Sequence, residues 1–143
     1  MPHNSHRAWI EIQKKHAGFH HPSLRNELDA EWIPNADVIE HADGLMIRLE
    51  VAGVDHSSIH VIVTRMALVI SGRRANPNAG GTAAGIRFRQ MEIEYGPFER
   101  VLPLPFPVDQ QRARARHKDG LLEIELPRTH AAAKNKTVIH IQW

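Results

Sequence analysis

Cysteine is absent from this chain of 143 residues, and aromatic residues make up only 6% of it. Without cysteine there is no disulfide, no thiolate nucleophile and no zinc site built on thiolates. No stretch approaches the roughly 20 apolar residues that a transmembrane helix needs. Residues 1–23 also lack an apolar run of signal-peptide length. We therefore expect a soluble, cytoplasmic protein with no membrane partner.

The chain also lacks a strong excess of charge of one sign. It has 18 basic and 16 acidic residues, a formal net charge of +2, which is too small to predict a nucleic-acid partner. Arg112, Arg114, Arg116 and Lys118 form a basic stripe, but no aromatic residue alternates with them to stack on bases. We interpret the stripe as a solvated strand face, or as one that pairs with acidic residues across a dimer.

Motifs for catalysis and metal binding are missing as well. The 11 histidines show no ligand spacing such as His-Glu-x-x-His. Gly80 and Gly81 lack both the strand–loop–helix context and the Lys-Ser or Lys-Thr of a phosphate-binding loop. Glu123 and Glu125 alternate as the solvent side of a strand would. We expect no enzyme activity, no metal and no cofactor.

What the chain does contain is period-two alternation of apolar and polar residues, which is typical of strands with one buried face. Leu122, Ile124 and Leu126 alternate in this way between a predicted Asp119-Gly120 turn and Pro127. Other strands are predicted at residues 36–40, 45–51, 59–64, 67–72 and 98–104, and a short one followed by a kink near residues 86–90. Strands in close succession without helices predict an all-β, immunoglobulin-like antiparallel sandwich.

The composition divides the chain into three parts. Residues 1–33 form a polar, histidine-rich arm, residues 34–128 form the sandwich, and residues 129–143 form a C-terminal extension. Within the sandwich, residues 74–85 contain nothing that could anchor a core and predict a flexible loop. Pro103 predicts that the end of its strand lies at a sheet edge or a bulge.

Six short motifs, in order, resemble the α-crystallin domain of small heat-shock proteins. They include Ala-x-x-x-Asp-Gly-x-Leu at residues 115–122 and Ile-x-Ile at residues 139–141. The others lie at residues 37–40, 49–54, 68–74 and 94–100. The chain departs from the family pattern at Ala52, which replaces a turn proline, and at Pro103, which interrupts a strand.

The resemblance implies a protein that dimerises, assembles into larger homo-oligomers, and acts as an ATP-independent holdase chaperone for unfolding client proteins. The alternative is a monomeric sandwich adaptor or co-chaperone that docks on one specific partner, which a sizing column would distinguish. The resemblance also implies that Arg100 is an interface arginine, and we expect it to pair with a carboxylate.

Two segments are expected to mediate assembly. Ile86 and Phe88 follow a loop too flexible to fix their register, so this strand can add to the sheet edge of a partner subunit and form the dimer interface together with Arg100. The tail is expected to dock through Ile139 and Ile141, which point the same way from an extended chain.

The tail isoleucines are expected to fill a groove between the two sheets. Small Ala113 and Ala115 would leave room for them, and Val61 and Val63 would line the groove if their strand lies beside it. In the alternative, the aliphatic stems of Arg112 and Arg114 line it. The groove belongs either to another subunit, or to the same chain with residues 138–141 added as a strand to their own sandwich.

Three aromatic residues of the arm are candidates for binding clients. Trp9, Phe19 and Trp32 are large apolar side chains in an otherwise polar segment. Either they capture exposed segments of unfolding proteins or they pack onto the chain's own sandwich. The sequence does not decide between these two interpretations.

Overall fold

The computed structural model describes residues 32–78, 87–131 and 136–143. In these ranges the chain forms strands and a single 3₁₀ turn at His56–Ser58. The strands are β1 (Ala36–His41), β2 (Gly44–Glu50), β3 (His60–Thr64), β4 (Ala67–Arg74), β5 (Gly96–Pro103), β6 (Arg114–Lys118), β7 (Leu121–Pro127), β8 (Lys136–Ile139) and β9 (Ile141–Gln142).

The strands are arranged in two sheets that enclose one core. The first has the order β1-β2-β7-β6-β9 and the second the order β5-β4-β3-β8. All pairs are antiparallel except β6–β9, which is parallel. This confirms the predicted all-β sandwich. Among the described residues, no helix is long and apolar enough to cross a membrane.

The strand β7 lies at the centre of the first sheet, and its alternation gives it one buried face, as predicted. Leu122, Ile124 and Leu126 are at most 1% exposed and face the core. The turn before it needs left-handed backbone, and Asp119 and Gly120 adopt φ values of 53° and 79°. Two consecutive positive φ values suit a two-residue hairpin turn, which explains the Asp-Gly pair.

A close approach between β4 and β5 explains the glycine in the motif at residues 68–74. A Cβ atom on Gly72 would lie 2.7 Å from Cε1 of Phe98, closer than real Cβ contacts allow. The Phe98 ring, 2% exposed, therefore lies directly over the glycine backbone. Any larger residue at this position would displace a central aromatic of the core.

The expected short strand near residues 86–90 is wrong for the single chain. Ile86 lies outside the described residues, and residues 87–95 contain no strand. Phe88 is 46% exposed. An isolated strand has no neighbour to bond its backbone, so this segment cannot be a strand without a sheet edge beside it. By contrast, β5 ends at Pro103 and is an edge strand, as predicted.

Candidate functional site: the C-terminal tail and its groove

The C-terminal tail crosses from one sheet to the other on a single side of the sandwich. The strand β8 pairs with β3, where Ile139 lies opposite Val61 and Thr137 opposite Val63. After His140, β9 pairs with β6, where Ile141 lies opposite Ala115. The tail thus covers the opening between the two sheets of its own chain.

At this opening Val61, Val63 and Ala115 lie opposite residues of the tail, and Ala113 belongs to the core cluster. Ile139 is 7% exposed and belongs to the core cluster, and Ile141 is half-buried against that cluster. The groove residues in the same cluster are Val61, Val63, Ala113 and Ala115. Arg112 and Arg114 are exposed, so their stems do not replace the alanines. The role of the tail and groove residues in assembly stays a prediction, because here the tail fills the groove of its own chain.

A side-chain hydrogen bond accompanies the apolar contacts of the tail. The Thr137 hydroxyl donates to Oε1 of Gln110 at 3.1 Å. Gln110 is 5% exposed, and among the described residues it is the only buried polar or charged one. Release of the tail would break this bond. The Thr137 hydroxyl therefore stabilises the docked tail in addition to the two isoleucines.

Beyond Ile141, the tail ends in an aromatic cluster that the sequence interpretation missed. Trp143 stacks on His56, with ring centroids 4.5 Å apart and an interplanar angle of 2°. The His117 ring is perpendicular to both of these rings, with its centroid 4.7 Å from that of His56 and 5.6 Å from that of Trp143. The available signal was parity, since residues 139, 141 and 143 of an extended tail share one side.

The electrostatics of this cluster centre on His117. Its Nε2 atom is buried and has no hydrogen-bond partner in the part of the chain that the structure describes. Burial, and secondarily the charge of His56, lower the pKa of His117 from its ordinary value of 6.5. The site therefore favours a neutral imidazole at this position.

The basic stripe is partly neutralised within the chain. Glu123 accepts bonds from Nη2 of Arg116 at 2.7 Å and from Nε of Arg48 at 3.1 Å. These two hydrogen bonds, that from Arg116 first, lower the pKa of Glu123, and the pKa of Arg116 is raised in turn. Within the chain, Arg116 therefore has an acidic partner on the adjacent strand β7, and pairing of the stripe across a dimer stays a prediction.

Arg100 lies on β5 and reaches the chain segment before β1. Its Nη1 donates to the carbonyl oxygen of Pro34 at 3.1 Å. Burial lowers the pKa of this guanidinium, which is half-buried against the sandwich. The carboxylate partner at a dimer interface stays a prediction.

Of the two interpretations of Trp32, the structure shows the second, in which the side chain packs onto the chain's own sandwich. The side chain is 6% exposed, and its Nε1 donates to the carbonyl oxygen of Gly96 at 2.9 Å. Its ring meets the Phe98 ring edge-on at 5.1 Å. A tryptophan with a satisfied N–H inside the core stabilises the chain's own sandwich. Trp9 and Phe19 lie outside the described residues.

Arg74, the last residue of the motif at residues 68–74, is a positioning residue. Its guanidinium carbon lies 3.8 Å from the Trp32 ring centroid. Its Nε donates to the carbonyl oxygen of Ala52, and its Nη1 donates to that of Glu94. One side chain thus fixes the turn that lacks the family's proline and the segment preceding β5.

The comparisons with known proteins agree with this architecture. A model described as Hsp20/alpha crystallin family matches residues 37–142, which is most of the chain. The chain belongs to the Hsp20/alpha crystallin family. As a small heat-shock protein it has a chaperone role, and the family is generally non-enzymatic. Within the described ranges, no group of three or more metal-ligating residues could hold an ion.

Two curated relatives show the extent of this similarity to small heat-shock proteins. Heat shock protein 16 of Schizosaccharomyces pombe is 29% identical over 117 residues, which cover 82% of this chain and 81% of the relative. The 17.7 kDa class II heat shock protein of Arabidopsis thaliana is 34% identical over 94 residues, 65% of this chain and 59% of the relative.

Solved structures of small heat-shock proteins share the sandwich. Heat shock protein 16.0 from Schizosaccharomyces pombe has a TM-score of 0.63 at 28% identity, covering 77% of this chain and 99% of the other. The hspA structure from Xanthomonas axonopodis has a TM-score of 0.62 at 31% identity, covering 72% and 100%. A small heat-shock protein from Xylella fastidiosa, with a TM-score of 0.61 at 26% identity and coverage of 74% and 94%, has a distinct high order structure.

Proposed function

We propose that this small heat-shock protein is an ATP-independent holdase that binds unfolding proteins and prevents their aggregation. The observation that supports this function best is the apolar groove closed by the tail. Its lining of Val61, Val63, Ala113 and Ala115 accepts an extended segment with apolar residues at alternate positions. Unfolded chains expose many such segments, and a holdase needs binding without hydrolysis.

The tail also supports assembly beyond the dimer. Residues 128–135 connect β7 to β8, and a tether of this length reaches roughly 25 Å when extended. The same pairing with β3 and β6 can therefore form in a neighbouring subunit, with no new type of contact. In this exchange, the closed single chain and the assembled form differ only in which subunit supplies the tail.

The dimer is proposed to use the opposite edge of the first sheet. There, in the part of the chain that the structure describes, β1 pairs only with β2, and Ile39 on β1 is 41% exposed. The irregular segment after the loop exposes Phe88, Met91 and Ile93, and it borders a cleft of about 600 Å³ that Ile93 helps to line. The exposed apolar segment of one copy can therefore pair with the β1 edge of a second copy, and the reverse contact forms at the same time.

The direct test is light scattering of a client protein that aggregates on mild heating. With this protein present at equal mass, we expect scattering to be largely suppressed without ATP, and addition of ATP should change nothing. Weak contacts at several sites of one assembly would give the required avidity. An inert protein of similar charge is the control, and unchanged client aggregation would reject the holdase function.

Arg100→Ala is expected to disturb assembly and lower the melting temperature. The variant loses a charged hydrogen bond to Pro34, worth about 1.5–3 kcal/mol, near the proposed dimer edge. Light scattering after size exclusion and thermal unfolding measure the two effects. Arg65→Ala, at an exposed turn position, is the matched control. Normal size and stability of the Arg100 variant would contradict the interface role.

A further inference from the structure

We propose that His56 and His117 form a third docking site for the tail, which takes an aromatic side chain two residues after Ile141 and weakens its hold as the pH falls. The contacts with Trp143 define the site in the single chain. The regulatory part of this inference rests on the proposed role of the tail in assembly. The docking itself can be measured without reference to chaperone activity.

The geometry gives the indole two different partners. His56 covers one face of Trp143 in a parallel stack, whereas His117 approaches at 89°, edge to face. Aromatic pairs favour both arrangements at these separations. Trp143 nevertheless remains 60% exposed. The contact is therefore specific in orientation and modest in strength, which suits a tail that has to be released.

The site is continuous with the isoleucine groove. Gln142 pairs with Arg116 on β6, and His117 is the next residue of that strand. Consequently, residue 139 of the tail pairs with β3, residue 141 pairs with β6, and residue 143 contacts the two histidines. This arrangement extends the recognised pattern from Ile-x-Ile to Ile-x-Ile-x-Trp.

Among the residues that the structure describes, none accepts a hydrogen bond from Nε2 of His117, so the N–H of a protonated ring would have no acceptor there. Its neighbours on β6, Arg116 and Lys118, are exposed, and its cross-strand partner on β7 is Leu122. Glu123 is already bound by two arginines. The 3₁₀ turn places His56 beside the ring, and its charge lowers the pKa of His117. The carboxylate of Asp55, the residue before His56, accepts hydrogen bonds from Ser57. The tail contributes only the indole.

The direction of the pH effect follows from the lowered pKa of His117, caused first by burial and then by His56. Release of the tail opens this side of the ring to water and returns the pKa toward its ordinary value of 6.5. The docked state therefore binds fewer protons. Docking is strongest above that value, weakens as the pH falls through it, and stops weakening below the lowered pKa of the docked state.

Because Nε2 of His117 is buried, a charge on this ring is placed away from water. The exposed His56 ring supplies the stacking contact with the indole. Substitutions at the two histidines therefore test the pH response and the docking contact separately.

The test is fluorine NMR of the full chain labelled with fluorotryptophan. Trp143→Phe and Trp9→Phe assign the signals, and the buried Trp32 reports whether each variant retains its sandwich. Between about pH 8 and about pH 5.5, we expect the docked population of Trp143 to fall several-fold relative to the released one. His56→Leu should weaken docking about two- to tenfold at the higher pH, as loss of an aromatic pair does.

His117→Leu should abolish the pH response, with His117→Phe in its place if the first variant does not fold. His140→Gln, an exposed tail position, is the control and should retain the response. A docked population that does not change with pH, that grows on acidification, or that still falls in the His117 variant would overturn the proposal. Failure to protect clients would leave this result intact, so the two proposals fail separately.

Discussion

Replacing Ile139 and Ile141 with alanine is expected to reduce the assembled protein to dimers. Ile139 is buried in the core cluster, and truncating a buried isoleucine costs about 2–5 kcal/mol. Even about 3 kcal/mol weakens tail docking roughly 100-fold. Because each tail in an exchanged assembly links two subunits, this loss acts at every link. Size exclusion with light scattering at micromolar concentration measures the outcome.

Val138→Ala is the matched control for this experiment. Val138 belongs to the same strand but is 54% exposed, so its truncation should leave the assembly unchanged. The melting temperature of the double isoleucine variant should fall less than that of Leu122→Ala, which removes a fully buried residue of the central strand. If the large assembly survives in the double variant while the sandwich is destabilised, the tail acts only as a strand of its own subunit.

Deleting residues 75–90 is expected to convert dimers into monomers. The deletion removes Phe88 and the loop that carries it, while the sandwich can close without them. Arg74 and Gly96 are cross-strand partners, so residues 91–95 are long enough to connect β4 to β5 as a hairpin loop. The variant should therefore fold, and the mass measured by light scattering should halve relative to a dimeric form.

A point substitution checks the same interface without shortening the loop. Phe88→Asp places a charge on the exposed apolar segment and should weaken the dimer, because an unpaired charge opposes burial. Met66→Asp is the control, since Met66 is also an exposed apolar residue, 69% accessible, but lies in the turn between β3 and β4. A dimer that persists in both the deletion and the Phe88 variant would reject this interface.

Local patterns were sufficient to predict most of the sandwich. The alternation of Leu122, Ile124 and Leu126 and the Asp119-Gly120 turn are features of adjacent residues, and the structure has both. The short connections then predict the hairpin pairs β1–β2, β3–β4 and β6–β7, whereas the pairing of β2 with β7 joins strands that are far apart in the sequence. The failed strand near Phe88 shows the limit of such patterns, because a strand also needs a neighbouring edge, which the local sequence does not specify.

The tertiary contacts of single side chains could not be predicted in the same way. Trp32 looked like part of the arm, yet its ring lies against Phe98, 66 positions further along the chain. His56 and His117 meet only because the 3₁₀ turn and the end of β6 are adjacent in the folded domain. Such pairs carry no periodic signal, so only the register of the whole sandwich brings them together.

The tail also acts as a cover over two sheet edges at once. With the tail in place, the exposed backbone on this side is that of β8 and β9, which are short. When the tail leaves, β3 and β6 present longer rows of unpaired N–H and C=O groups, which are templates for pairing with any extended chain. If the holdase function proposed above is correct, the state best able to capture a client is also the state most prone to self-association, and it ends when a tail covers the two edges again.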